Sequence, residues 1–549
     1  MFDALRYWKP ILWFILCALT LQFAVYPLKL ELQYGSVQPL QVIENPAIFS
    51  VLFLAWITIL FILLFYTKNE SLRLLLLVIF GLIFLGFWMI RVPNGTNHDE
   101  YMNMGITNYI MEHGLSSERE YFNLYLDYPL VHIFGAEISY IWGHSITEAS
   151  RVFLPFLTVF FILELYIFFR SVLNNRDGAV LSTVFAVLGN LLWARFQAFA
   201  PFELGHVLLM AFLISFVRRR YKVTFIVWPA LVIAYLPTST LVLLVLLGIG
   251  IFEKLSIGNL SRARGQLLYC SLVFFIWNLF WSYRTYANTL EYIIHFFPFG
   301  MSDFSWASET LGVISNVPLW VNLVEYFWAA FLLGLGLIIG LRKLFALRKS
   351  EAETNLILGG LLGTLAFGLA SAIVVPGGLQ WSRIFYYGPI FSAPLVAGFV
   401  IIKARRRTML AMLAIVLIIL SFPTFLVQAR SVSCNVVYDY ERSLGSFISN
   451  HVGPDVPRIV ADPATSAALQ YYVPQAQFST PSSYNLKDMR DVFDTNFQGL
   501  EMLTRKSQAI LYFYFGENAT NAYLRDITNA AFQGQKVYDS GWTQIYSKP

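Results

Sequence analysis

The apolar run from Leu74 to Ile90, followed shortly by Asn97-His98-Asp99-Glu100-Tyr101, decides how this chain is read. The run has about the length a bilayer core demands, and a histidine and two acids stand where such a span ends. Carboxylates are costly to desolvate. Acids at the mouth of a span are therefore either solvated flank residues or a reaction site that uses the low dielectric behind them.

The rest of the chain repeats the apolar half of that pattern. Of its 549 residues 57% are hydrophobic and only 13% charged, with 49 Phe, 30 Tyr and 14 Trp, the composition of a membrane protein. About thirteen runs approach the length of a span. They cover 11–27, 47–66, 73–90, 152–169, 179–198, 202–217, 223–236, 238–252, 266–283, 317–341, 355–375, 384–402 and 408–427. The pieces between 199 and 252 are short, and Pro237 can join two of them into a bent hairpin.

Alternate loops carry the cations: Arg6 and Lys9, Lys68 and Arg73, Arg170 and Arg176, Arg218-Arg219-Arg220, Lys254 with Arg262 and Arg264, Arg342 with Lys343, and Lys403 with Arg405-Arg406-Arg407. By the positive-inside rule these loops are cytoplasmic, which places the 91–150 loop and the C-terminal segment on the outer face of a multi-pass plasma-membrane protein. The net charge of +5 follows this topology and forms no nucleic-acid patch. Basic residues before the first span, with no small-residue cleavage site after it, predict a retained signal anchor. Cys17 and Cys270 lie in apolar runs and only Cys434 is expected outside, so no outer disulfide framework is available.

The expected fold class is a mainly α membrane protein, with a transmembrane unit over 1–427 and a small extracytoplasmic α/β domain over 428–549. Within the 91–150 loop, the spacing of Ile106 to Met111 predicts amphipathic helices along the membrane surface. Further on, Arg458 to Ala461 reads as a buried strand, Ala464 to Tyr472 as a helix and Ala509 to Phe515 as a central strand. Ala519 to Phe532 then reads as a helix, and Lys536 to Tyr546 as a closing hairpin through Ser540-Gly541.

Outer acids expected at the membrane boundary are Asp99, Glu100, Glu112, Asp127 and Glu203, the last within Ala200-Pro201-Phe202-Glu203-Leu204-Gly205-His206. Paired acids can hold a divalent cation, or one can serve as general base beside the other. An acid at a helix start is equally well explained by the macrodipole. Arg383 stands on the outer side at the start of an apolar run, against positive-inside, and a guanidinium there matches a lipid phosphate bidentately or snorkels to headgroups. Arg195 is a second phosphate candidate. Glu164 and Glu325 fall inside apolar runs, where a carboxyl should face the bundle interior. Asn94-Gly95-Thr96 and Asn518-Ala519-Thr520 match the glycosylation sequon, a weak three-residue pattern.

A large first outer loop opening on an Asp-Glu pair, about thirteen spans, Arg383 followed by Pro389, and an outer C-terminal domain together resemble the polytopic GT-C glycosyltransferases. The likeness is to the protein-mannosyltransferase and oligosaccharyltransferase-like membrane proteins of prokaryotes and archaea. Val460 to Ser466, with Tyr471-Tyr472-Val473-Pro474, is similar to the opening of the C-terminal domain in many such chains.

The resemblance implies an inverting transfer of a sugar from a polyprenyl-phosphate donor to a lipid-linked glycan, a protein or another acceptor. Asp99 takes the position of the catalytic acid, Glu100 its neighbour, and Arg383 with Arg195 the donor phosphate site. His98, Tyr101, Asp127 and His206 are the substrate-binding candidates, and Asp99 with Glu203 the candidates for a Mg or Mn ion. Two departures stand out: no Trp-Trp-Asp-Tyr-Gly string occurs in the C-terminal domain, and three spans precede Asp99 where many members have one. A transporter or flippase of lipid-linked sugars is the alternative, in which Glu164 and Glu325 matter more than Asp99.

Overall fold

The computed structural model describes residues 2–24, 46–91, 98–115, 126–189, 199–257, 261–283, 319–346, 352–374 and 384–403, and, further on, 413, 416–419, 421, 439–451, 459–460, 469, 471–472, 478–479, 499–504, 535–539 and 543–548. The first twelve apolar runs each coincide with a helix: α1 (Phe2–Ala24), α2 (Pro46–Tyr66), α3 (Glu70–Arg91), α6 (Ile146–Leu173), α7 (Arg176–Gly189), α8 (Pro201–Val217), α9 (Tyr221–Ala234), α10 (Leu236–Ile257), α11 (Ser261–Phe280), α12 (Leu319–Ala346), α13 (Ala352–Val374) and α14 (Ile384–Lys403). Two more helices, α4 (His98–His113) and α5 (Leu130–Trp142), lie in the long loop, and α15 (Asp439–His451) follows the bundle in sequence. The chain is a membrane protein. Among the described residues five helices are long and apolar enough to cross a bilayer, within α2, α6, α10, α13 and α14.

Local chemistry sets the helix ends. Ser145 caps α6 in a full capping box with Glu148, and Asn174 closes it in the left-handed conformation at φ 48°. Pro201 opens α8, where its missing N–H costs nothing. Helices α9 and α10 are separate, and α10 at 22 residues is longer than the sequence suggests: Tyr235 between them is extended and Pro237 sits in the first turn of α10, where the bend is expected.

One apolar core runs through the bundle. Helix α6 packs on α3, α7 and α8, α14 on α7, α12 and α13, and α10 on α13. Paired contacts fix the direction of α6 against α8. The Phe161 ring meets His206 edge-on at 6.1 Å, and further along both helices Arg218 Nε donates to Ser171 Oγ at 3.1 Å, so the two run parallel. At the end where they finish, Arg176 pairs with Glu70 at 3.0 Å, Tyr166 donates to the same carboxylate at 2.7 Å, and Arg73 pairs with Asp177. The basic loops around 68–73, 170–176 and 218–220 thus share one end of the bundle, and the starts of α6 and α8 share the other.

The last segment contributes a five-stranded mixed sheet of order β2-β1-β3-β5-β4, from β1 (Ile459–Val460), β2 (Phe478–Ser479), β3 (Gly499–Thr504), β4 (Gln535–Asp539) and β5 (Thr543–Lys548). Strand β1 pairs parallel with β2 and β3, whereas β5 is antiparallel to both β3 and β4. The strand at 459–460 and the antiparallel pair at 535–548 fall where the sequence predicts them. The middle of the sheet is β3, a segment to which the sequence reading assigned no element. The expected strand at 509–515, the helix at 519–532 and both sequons lie outside the described residues, as does most of the helix expected over 464–472.

Candidate active site

Helix α4 begins shortly after α3 ends, with His98, Asp99 and Glu100 in its first turn, where acids complement the helix N-terminus. Asp99 is thereby placed in the backbone at the end of the bundle where α6 and α8 start; its side chain and that of His98 lie outside the described residues. Glu100, by contrast, is fully buried, with its Oε1 3.5 Å from Arg151 Nη2 on α6. Tyr101 is also buried, edge-on to Tyr471 at 5.4 Å between ring centroids.

The amphipathic expectation for this stretch is corrected by the structure. Asn103, Met104, Ile106, Thr107 and Ile110 are all buried, because α4 is packed between α5 and α6. Only the last turn, with Met111 and Glu112, is exposed.

Asp127 is buried, and its carbonyl accepts a hydrogen bond from Trp277 Nε1 of α11 at 3.2 Å. Next to it the Tyr128 hydroxyl donates to Asn278 Oδ1 at 2.7 Å, and burial pushes this phenol's pKa up, keeping it neutral. The segment before α5 is therefore docked on α11. At 13 residues α5 is about 20 Å long, shorter than a hydrocarbon core of about 30 Å.

His132 on α5 is wholly buried, its Nδ1 3.3 Å from the Thr107 hydroxyl of α4. Desolvation lowers its pKa from 6.5 to about 3, opposed by a hydrogen bond to the Asn103 carbonyl. A histidine held neutral in the fold but protonated when unfolded loses stability as pH falls from about 6.5 toward 3. By pH 5 the loss is about 2 kcal/mol. His132→Gln should flatten this acid limb, read as the melting temperature in detergent between pH 7 and 5; an unchanged limb would show that His132 does not cause it.

On α8, Glu203 and His206 are both buried. The His206 ring stacks on Tyr387 of α14 at 4.9 Å with planes 2° apart, and its Nδ1 lies 2.6 Å from the Phe202 carbonyl, so that nitrogen carries the hydrogen. Tyr387 in turn exchanges a hydrogen bond with Thr238 of α10 at 2.9 Å. Three helices meet there, immediately after Arg383 in sequence. Arg383 and Arg195 lie outside the described residues.

The sequence candidates thus fall in three places. Glu100 and Tyr101 join Arg151 and Tyr471, Asp127 joins α11, and Glu203 with His206 joins Tyr387. Arg151, Tyr387 and Thr238 went unread in the sequence. Arg151 had a usable signal, since it is a cation at the non-basic end of a span, the same anomaly that singles out Arg383. Among the described residues no group of three His, Cys, Asp or Glu is arranged to hold a metal ion.

No family model matches the chain, and no curated protein matches its sequence. Solved structures do resemble it. The apo oligosaccharyltransferase of Archaeoglobus fulgidus aligns with TM-score 0.52 at 11% identity, over 88% of this chain and 75% of that one. The archaeal oligosaccharyltransferase AglB from the same organism, in complex with an inhibitory peptide and a dolichol-phosphate, aligns at 0.48 and 12% identity, over 91% and 74%. ArnT from Cupriavidus metallidurans, bound to undecaprenyl phosphate, aligns at 0.41 and 12% identity, over 87% and 98%. The first of these alignments establishes a GT-C-like fold.

Proposed function

We propose that this chain is a membrane glycosyltransferase that moves a sugar from a polyprenyl-phosphate donor to a lipid-linked glycan, a protein or another acceptor at the outer face. The observation that carries the reading is the helix that opens just after α3 with Asp99 in its first turn, held by buried contacts in a GT-C-like fold. Asp99 accepts the proton of the acceptor as the acceptor atom attacks the anomeric carbon. The bond from that carbon to the phosphate oxygen breaks on the opposite side, inverting the centre. The Arg383 guanidinium, with Arg195 as a second cation, takes up the charge on the departing lipid phosphate.

Glu100 is assigned a holding role, since a fully buried carboxylate against Arg151 orients α4 and does not reach an acceptor. Asp99 and Glu203 offer hard oxygens suited to Mg or Mn. The bundle over 1–427, with about thirteen spans, is the proposed membrane unit, and the segment from 428 the proposed outer α/β domain.

Purified protein incubated with a panel of radiolabelled polyprenyl-phosphate sugars should transfer label from one of them. Single cysteines at Ser117 and Ser482, in a background lacking Cys434, should react with an impermeant maleimide in intact cells, and one at Ser350 should not. The reverse pattern would put the acids in the cytoplasm and end the lipid-phosphate donor reading in favour of a nucleotide sugar.

One observation favours the flippase alternative. Glu164 lies within α6, and its Oε2 is buried with no hydrogen-bond partner among the described residues. A carboxyl in a span without a partner is a default functional candidate. Glu325, the other acid that reading needs, has its side chain outside the described residues.

A further inference from the structure

The first turn of α4 is attached at two points. Glu100 reaches Arg151, two turns into α6, and Tyr101 meets a ring that belongs to the far C-terminal part of the chain. That ring, Tyr471, places its hydroxyl 3.4 Å from Thr147 Oγ1 in the first turn of α6. Its neighbour Tyr472 meets it edge-on at 4.9 Å and donates its backbone N–H to the Leu469 carbonyl at 2.9 Å. Tyr472 is itself seated on α15, where a Cβ added at Gly445 would lie 2.1 Å from the Tyr472 ring. A continuous chain of contacts therefore runs from α15 through Tyr472 and Tyr471 to the helix that carries Asp99.

We propose that Tyr471 is a positioning residue: it presses on Tyr101 and bonds to Thr147, holding the first turn of α4 against α6 so that Asp99 stands in its working position. The proposal rests on the transferase reading for its chemistry and on the contacts alone for its mechanics. Its consequence is that the C-terminal segment helps to complete the reaction centre, whatever else that segment binds. Edge-on aromatic pairs add to area burial, and a displacement of about 1 Å in a reacting group is enough to slow a reaction about 10²-fold.

The test uses the full chain in detergent. In Tyr471→Ala, amide hydrogen exchange over Met102 to Ile106 should accelerate about fivefold to tenfold, while amides of α10 and α13 keep their rates. Sugar transfer should lose about tenfold or more in kcat, with the KM for the lipid donor unchanged. Tyr471→Phe, which keeps the ring, should restore most of the kcat and the slow exchange. In an Asp99→Asn background Tyr471→Ala should cost nothing further, because it acts through Asp99. Unchanged exchange over 102–106 overturns the proposal whether or not any sugar is transferred. Faster exchange with wild-type kcat, or a loss that multiplies with that of Asp99→Asn, overturns it as well by showing a merely structural contact. Failure of the transferase reading is seen separately, as absent transfer from every donor in the wild-type chain.

Discussion

Asp99→Asn should reduce sugar transfer by about 10²-fold or more while leaving donor binding nearly unchanged. The amide keeps the size of the side chain and some of its hydrogen bonding, but it cannot take the proton from the acceptor. Arg383→Ala should instead weaken donor binding and turnover together, since a charge-assisted contact to a lipid phosphate is worth about 1.5 to 3 kcal/mol. Lysine at 383 should recover only part of this, because an ammonium lacks the planar two-donor grip. Both effects are read from initial rates across donor concentrations. A flippase makes the opposite forecast: Asp99→Asn is nearly silent, and Glu164→Gln or Glu325→Gln stops a lipid-linked sugar from crossing a vesicle membrane. Wild-type turnover in Asp99→Asn would sink the mechanism proposed here.

The second large effect concerns stability. Helices α10 and α13 approach so closely that a Cβ at Gly248 would lie 2.4 Å from the Gly359 carbonyl oxygen, and one at Gly359 would lie 2.4 Å from the Ile249 backbone nitrogen. A Cβ at Gly363 would meet the Val245 backbone at 2.6 Å. Backbone cannot swing aside as a side chain can, so Gly359→Ala should cost about 1 to 3 kcal/mol and Gly359→Leu more. The control is Gly334→Ala in α12, where an added Cβ meets nothing within 4 Å. There alanine should be neutral or should gain up to about 1 kcal/mol from helix propensity. Thermal unfolding in detergent reads all three variants; a Gly359→Leu protein as stable as wild type would mean that α10 and α13 do not touch as described.

The helical part of the fold was legible because its signal is local and strong. Apolar runs long enough to approach a bilayer's thickness leave a chain little choice but to satisfy its backbone within helices. Twelve of the runs became helices for that reason. Punctuation was legible as well at the start of α8, where Pro201 opens the helix and Glu203 stands in its first turn. The sheet was read in part. Its outer antiparallel pair announces itself through alternation and a turn, whereas β3, in the middle, is a short segment that takes its place through neighbours far away in sequence.

The candidate site divides along the same line. By itself the sequence showed that two acids, Asp99 and Glu100, follow closely on a long apolar run and that Arg383 stands at the start of another. Charge in an apolar chain is conspicuous wherever it falls. Only the tertiary structure decided what each of these neighbours does. It buried Glu100 against Arg151, stacked His206 on Tyr387, and brought Tyr471 from the far end of the chain onto Tyr101. Those pairings join residues dozens to hundreds of positions apart, and their energy comes from desolvation and ring geometry that exist only once the helices have packed.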